Sequence, residues 1–379
     1  MSDIVVRRID PETKAIEDWI SVPKIVHAND RFFVIQPDKL ERQRITRAHN
    51  PYLGTIDAAF FIAYRSGQPV GRISAQFDRA LVDANGQPFG QFGFADFIED
   101  QAVADVLVAR ARAFLGQAGA RSMRGPFNLS INQECGCLIA GFDSAPAVMM
   151  PHGRPWVGPM LEQTGLAKAV DMYAYRVDPK IVPERFLAFC RRQQDENAIV
   201  VRPLDMRNLK REFELMGDIF NDGWRDNWGF VPFTRAELHH LAAEFKAVLR
   251  PDYGFFVEIA GRPVAVMMAM PNLNELFAPM RGRLGLVNAL RLFWALRREK
   301  ARTARVPILG VRKEVQGGGL GAAIVASMLE KLLERSRKFR LDWVEFSWVL
   351  ENNRRARHVL EDAGGVAAKT YRIYAGPTA

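Results

Sequence analysis

The sequence predicts an α+β protein built as two tandem domains, each with a mixed sheet, and three observations predict it. A glycine-rich turn, Gln316-Gly317-Gly318-Gly319-Leu320-Gly321, joins a strand-like run, Val306 to Val311, to a helix-like run, Ala322 to Leu333. The hairpin pattern Phe60-Phe61-Ile62-Ala63-Tyr64-Arg65-Ser66-Gly67-Gln68-Pro69-Val70 is echoed by Phe255-Phe256-Val257-Glu258-Ile259-Ala260-Gly261-Arg262-Pro263-Val264, with turn glycines 194 residues apart. A further echo, Leu161-Glu162-x-x-Gly165 against Leu360-Glu361-x-x-Gly364, is displaced by 199. Echoes at nearly one offset mark a duplication. They place the domains at 1–180 and 181–379, with the boundary near Pro179 to Pro183.

A glycine-rich turn that opens a helix is an anion site. The first N–H groups of a helix have no intrahelical acceptor, and the helix dipole puts roughly half a positive charge there, so a pyrophosphate docks on main chain alone. Glycine permits the close approach. The spacing excludes two common phosphate loops. A Walker A loop ends in Gly-Lys-Ser/Thr, and a dinucleotide fingerprint reads G-x-G-x-x-G with an acid about 20 residues on. This stretch reads Q-x-x-G-x-G.

With its preceding strand, Leu309 to Gly321 resembles the acetyl-CoA loop of the GCN5-related N-acetyltransferases (GNAT): a hydrophobic strand, V-x-x-x-x-[QR]-x-x-G-x-[GA], then a helix. The resemblance implies that Leu309, Val311, Gln316, Gly317, Gly318, Gly319, Leu320 and Gly321 hold acyl-CoA as co-substrate, together with Asn353, and that no metal takes part. The downstream order agrees: a strand from Leu341 to Leu350, a helix opened by Asn352-Asn353-Arg354-Arg355-Ala356 and closed at Gly364-Gly365, and a last strand from Lys369 to Tyr374. One position departs. Where many members carry a tyrosine that protonates the departing thiolate, this chain has Leu360, and its usual aromatic neighbour is replaced by Gly365.

Acyl transfer from a thioester to an amine requires the amine to lose a proton and the carbonyl to be polarised. An alkylammonium has a pKa of ~10 and a thiol ~8.5, so at neutral pH the base matters more than the acid. Along Trp343 to Glu351, Glu345 and Ser347 share a face opposite Phe346 and Trp348. A carboxylate desolvated among aromatics has its pKa raised, which makes Glu345 the candidate base. Asp222, Glu237 and Glu134 are reserves, and Tyr371 and Tyr374 are candidate acids. The cluster Asn221 to Phe233 suggests that Trp224 and Trp228 wall a large amphipathic acceptor, with core packing as the alternative.

Only the second copy carries the loop. In the first, Phe92 to Asp100 brings acids to the start of a helix expected from Ala102 to Leu115, and acids repel a pyrophosphate. The N-terminal domain is therefore expected to have lost CoA binding. From Phe127 to Glu134 polar and apolar residues alternate, which on a strand puts Asn128, Ser130, Asn132 and Glu134 on one face. Asn132 and Glu134 are the candidates there for holding a polar head group. Cys135-x-Cys137 with His152 nearby has the makings of a metal site, but thiols on one strand face are read as structural.

At 379 residues and 48% hydrophobic, the chain is long enough for two domains of ordinary size. No run of about 18 apolar residues indicates a transmembrane helix, and the N-terminus lacks a signal peptide's apolar core, so the cytoplasm is expected. Its 3 cysteines form no disulfide framework. The net charge of +9 is concentrated between Met280 and Arg305, where eight basic residues face one acid. On a helical wheel Leu286, Val287, Leu290, Phe293, Trp294 and Leu296 form an apolar arc and Arg291, Arg298 and Arg302 a basic stripe. Such an insertion, at about 275–305, suits an anionic membrane surface. The alternative is a core helix whose arginines are solvated or bind CoA phosphates. No nucleic-acid motif accompanies the charge.

Asn221 to Phe233, Gly125 to Gly141, Met149-Met150-Pro151-His152, Glu345 to Asn353 and Lys369 to Tyr374 together look like a bacterial family of tandem GNAT-fold proteins that includes the bacterial ceramide synthases. The resemblance implies transfer of a long-chain fatty acyl group from CoA to the amine of a sphingoid base, peripherally at the cytoplasmic face of the inner membrane. A small-molecule amine acetyltransferase and a noncatalytic acyl-CoA sensor are the alternatives.

Overall fold

The structure, a computed structural model, describes residues 3–83, 85–246 and 248–378. The first half runs β1 (Ile4–Ile9), α1 (Ile16–Val26), α2 (Asp38–Ile45), β2 (Asp57–Arg65), β3 (Gln68–Phe77), β4 (Phe89–Phe97), α3 (Gln101–Ala118), β5 (Ser122–Gly125), β6 (Phe127–Asn128), β7 (Glu134–Cys135), β8 (Cys137–Ala140), α4 (Val157–Gln163) and β9 (Ala167–Val177). The second runs α5 (Glu184–Glu196), β10 (Val200–Pro203), α6 (Leu209–Trp224), α7 (Arg235–Phe245), β11 (Gly254–Ile259), β12 (Arg262–Pro271), α8 (Leu273–Phe277), α9 (Leu286–Arg297), β13 (Thr303–Val311), α10 (Gly318–Lys338), β14 (Trp343–Leu350), α11 (Arg354–Asp362) and β15 (Val366–Pro377).

The chain packs as two compact units. One holds residues up to Met172 with Phe277–Ala289 and the stretch from Lys369; the other holds Tyr173–Leu276 and Leu290–Ala368. The division is interleaved rather than placed at one point near residue 180. β9 passes into the second unit at Tyr173, and β15 returns to the first at Lys369.

Each unit repeats one strand plan. In the first, β1 to β5 lie in order, antiparallel until the parallel pair β4–β5. In the second, β10 to β14 do the same, ending on the parallel pair β13–β14. A parallel pair needs a crossover, which α3 supplies in one unit and α10 in the other. The echoed hairpins turn identically. Ser66-Gly67 have φ of 50° and 79°, and Ala260-Gly261 have 49° and 74°. Left-handed residues at both central positions make the type I′ turn, whose twist matches that of the strands it joins. Both crossover helices bury an apolar stripe at helical spacing: Val103, Leu107, Ala111 and Leu115 in α3, and Ile324, Met328, Leu332 and Leu333 in α10.

Two sequence expectations are corrected. Phe127 to Glu134 is not a single alternating strand. β6 and β7 pair as Phe127↔Cys135 and Asn128↔Glu134 around a turn in which Leu129 takes φ 82° and Ser130 Oγ accepts from the Asn132 N–H. Polar residues that bond main chain in a turn mimic strand alternation, so the four polar groups do not line one face. Nor is α9 a core helix, since none of its residues is buried and Leu286, Val287, Leu290, Phe293 and Trp294 are 87, 62, 60, 47 and 54% exposed. α9 ends at Arg297, so Arg302 leaves the basic stripe; its guanidinium pairs with Asp342. No helix among the described residues is long and apolar enough to cross a membrane.

Candidate active site

The glycine-rich turn forms the N-terminus of α10. Gly317 is its N-cap and no side chain caps it. Gly318 takes φ 63°, a conformation that excludes most side chains. A Cβ added at Gly317, Gly318 or Gly319 would meet nothing within 4 Å, so the space over the first turn is open. Gly321 faces the other way, and a Cβ there would lie 2.5 Å from the Gln316 carbonyl oxygen. The helix end thus has no side-chain cap and open space beside its first glycines, while Gly321 packs inward.

α6 holds the loop from behind. Gln316 Nε2 donates to the Gly223 and Val311 carbonyls, each at 2.8 Å, and a Cβ on Gly223 would come within 2.3 Å of that Val311 oxygen. Asp222 Oδ2 accepts from the Lys313 N–H at 2.9 Å. The Lys313 ammonium pairs with Asp226, and Arg312 pairs with Asp218. Trp224 stacks on Phe220 and donates its indole N–H to the Leu309 carbonyl at 2.8 Å. Asp222 and Trp224 therefore brace the loop and its strand. Trp228 is half-buried in the segment that follows α6.

The parallel ladder of β13 and β14 is short. It runs from Thr303↔Trp343 to Val306↔Phe346 and ends where Pro307, lacking an N–H, interrupts β13. β13 goes on pairing with β12 to Val311. A fully buried polar cluster sits at this point. Glu345 is 0% exposed, with Oε2 accepting from Arg176 Nε at 3.1 Å and Oε1 from Ser347 Oγ at 3.2 Å. Arg305, also 0% exposed, donates from Nε to Ser347 Oγ at 2.9 Å and from a terminal nitrogen to the Ser347 carbonyl. The expected aromatic surroundings of Glu345 are replaced by guanidinium groups, which in turn stack on rings: Arg176 on Trp343 and Arg305 on Trp348. Strand alternation showed that Glu345 and Ser347 share a face. It gave no sign of Arg176, 169 residues away in sequence, although a buried carboxylate requires such a partner.

Asn353 is the N-cap of α11, its Oδ1 accepting from the Ala356 N–H at 3.1 Å. Leu360 is buried in the core. A Cβ on Gly365 would lie 2.6 Å from the Leu360 carbonyl, which accounts for the glycine. A phenol reaches α11 from β9: Tyr175 donates to Glu361 Oε1 at 2.7 Å and accepts from Arg357 at 3.1 Å. Its pKa is raised by burial. Sequence reasoning missed this residue because it lies 186 positions from Glu361.

The remaining candidates fall elsewhere. Glu237 forms the capping box of α7 with Thr234. Tyr371, Asn132 and Glu134 belong to the first unit. Tyr371 is fully buried, Asn132 lies in the β6–β7 turn, and Glu134 pairs with Arg44 at 2.6 Å and accepts from Asn128. Cys137 is buried, its thiol pushed up to about 12 by desolvation, and His152 finds its carboxylate partner in Asp30 rather than in a thiol.

No family model matches the chain. It is 35% identical over 362 residues to Protein YghO of Escherichia coli K12, covering 95% of this chain and 92% of that protein. It is 36% identical over 366 residues to the Bacterial ceramide synthase of Caulobacter vibrioides, covering 95% and 94%. In fold it matches a tandem GNAT protein from the clavulanic acid biosynthesis pathway at a TM-score of 0.58 and 10% identity, over 100% of this chain and 99% of the other. That likeness establishes the tandem GNAT fold.

Proposed function

The chain belongs to the bacterial family that includes the Caulobacter ceramide synthase and YghO, and on that premise we propose that it is an acyl-CoA-dependent N-acyltransferase whose acceptor is a lipid amine, of the sphingoid-base class. The observation that carries the donor half is the uncapped N-terminus of α10 with open space above Gly317 to Gly319. Main-chain N–H groups there take the pyrophosphate, and the gap where the β13–β14 ladder stops gives the pantetheine arm strand edges to bond. Glu345 receives the proton released by the attacking amine, relayed through Ser347 Oγ, while Arg176 holds the second carboxylate oxygen in place. The amine nitrogen then bonds to the thioester carbon, the C–S bond breaks, and CoA leaves as its thiolate.

The acceptor half rests on α9. Its exposed Leu, Phe and Trp side chains lie among the exposed basic residues Arg281, Arg283, Arg291, Arg297, Arg298 and Lys300 with one acid, Glu299, the pattern of a helix that rests in the surface of an anionic bilayer. Arg297 and Arg298 sit over the Phe293 and Trp294 rings, so charge and ring would enter the interface together. The test is mass spectrometry of lipids after incubating the protein with palmitoyl-CoA, acetyl-CoA and a panel of amines, with the sphingoid base presented in phosphatidylglycerol vesicles. A ceramide should form, and a Phe293→Ser/Trp294→Ser variant should lose most of that activity but keep activity on a soluble short-chain analogue. Acetylation of a soluble amine with no reaction at the vesicle would overturn the lipid reading.

A further inference from the structure

His27, Asp30 and His152 are the one group of three metal-capable side chains, among the described residues, whose ligand atoms all lie within 4.8 Å of one another. His27 ends α1 and is 3% exposed, yet neither ring nitrogen has a hydrogen-bond partner. The nearest acceptors, Asp30 Oδ2 and Asp96 Oδ1, stand 3.5 and 3.8 Å from its two nitrogens, too far to repay the desolvation of a buried imidazole with a well-formed hydrogen bond. His152 Nδ1 is likewise buried and unbonded. Phe33 stacks on His27 with centroids 4.1 Å apart and closes one side of the cluster.

The geometry fits a small tetrahedral ion. Bonds of about 2.0–2.1 Å put neighbouring ligand atoms of a zinc tetrahedron about 3.3 Å apart. Asp30 Oδ2 is 2.9 Å from His152 Nε2 and 3.5 Å from His27 Nδ1, which brackets that edge. Asp30 Oδ1 accepts from the Phe32 N–H and so aims Oδ2 at the histidines. Behind His27, Asp96 Oδ1 is 3.8 Å from Nε2, the place of the outer carboxylate that orients a metal-bound imidazole. Asp96 is itself held by Arg72 at 2.7 Å. One contact competes. Arg154 reaches the same Asp30 Oδ2 at 3.1 Å from a side chain 23% exposed, so an incoming ion must turn it out to solvent.

We propose that His27, Asp30 and His152 bind a divalent transition metal of zinc's preferences, giving the first unit a site independent of the acyl-CoA loop. The fourth position is left to water or to an anionic ligand.

The test uses tag-free full-length protein stripped with chelator and titrated with Zn²⁺, the bound metal being counted after gel filtration and the unfolding midpoint read with and without the ion. Stoichiometric zinc and a raised midpoint are expected. His152→Ala and His27→Ala should abolish both. Asp96→Asn should weaken binding about 10–100-fold, as loss of an outer-shell partner does. Arg154→Gln should bind more tightly, because the competitor for Asp30 is gone. That variant decides the matter if the histidine variants do not fold. No zinc bound, zinc retained in both histidine variants, or weaker binding in Arg154→Gln would overturn the site. None of these readouts is acyl transfer, so failure here is distinct from failure of the proposed function.

Discussion

The two crossover helices occupy the same place in the same strand plan, but their N-termini are finished in opposite ways. α10 begins on Gly317 with no capping side chain. α3 begins on Asp100, whose own carboxylate accepts from the Ala102 N–H at 2.9 Å and is paired with Arg65. One helix end leaves its positive pole to an outside anion; the other has an internal anion there already. The parallel ladders differ in the same sense. β13–β14 stops at Val306↔Phe346. β4–β5 stops at Gln91↔Arg124, and β6 then comes so close that a Cβ on Gly93 would lie 1.7 Å from the Phe127 carbonyl oxygen. Asn128 Oδ1 accepts from the Phe94 N–H at 2.7 Å, and Gln76 Nε2 donates to the Phe127 carbonyl at 2.7 Å. The segment that looks like a polar wall in sequence is a plug for the gap in the first unit. The third rung differs too: Arg305 faces Glu345, a pair of opposite charges, in one ladder, and neutral Gln91 faces Arg124 in the other. The place that the second unit leaves open is filled from within in the first.

The largest expected effect follows from the open helix end. Gly319→Trp puts an indole into space that is clear in the folded chain, so the fold should persist and CoA affinity should fall by at least about 100-fold, the scale on which loss of about 3 kcal/mol of phosphate contacts is read. Calorimetric titration with CoA checks it, and circular dichroism checks the fold. CoA bound with wild-type affinity would place the nucleotide away from α10 and end the contrast between the two helices.

The contrast at the third rung is tested by Glu345→Gln. Turnover should drop roughly 100-fold, within the range of general-base catalysis, while CoA affinity stays the same. Because Glu345 is fully buried beside Arg176 and Arg305, the same change leaves the guanidinium groups short of an anion and should lower the unfolding midpoint. Near-wild-type turnover over pH 6 to 9 would assign Glu345 to structure alone.

What the sequence made legible was local. The glycine turn, the two type I′ hairpins and the acid-led start of α3 are each written within about a dozen residues, where glycine and capping chemistry decide the conformation. The features left unread depend on distant partners. Arg176 meets Glu345 across 169 positions and His152 meets Asp30 across 122, and no periodicity encodes such pairs. The return of β15 to the first unit at Lys369 is of the same kind. The β6–β7 turn was missed for another reason: side chains bonding main chain gave it the polarity of a strand.

The smallest effect separates a filled helix end from an open one. Asp100→Ala removes the cap of α3 and one partner of Arg65, and should cost about 1 kcal/mol in urea unfolding without creating CoA binding in the first unit, since the β6 plug remains. Arg65 beside Asp100 holds its carboxyl below the ordinary value. A depressed folded-state pKa contributes stability above the unfolded value of about 3.9 that is lost as pH falls through the lower folded one. The gap between wild type and Asp100→Ala should therefore be full at pH 7 and shrink below about pH 4. A gap that is absent at pH 7, or that widens on acidification, would show that Asp100 does not satisfy α3, and the contrast between the two helix ends would need another cause.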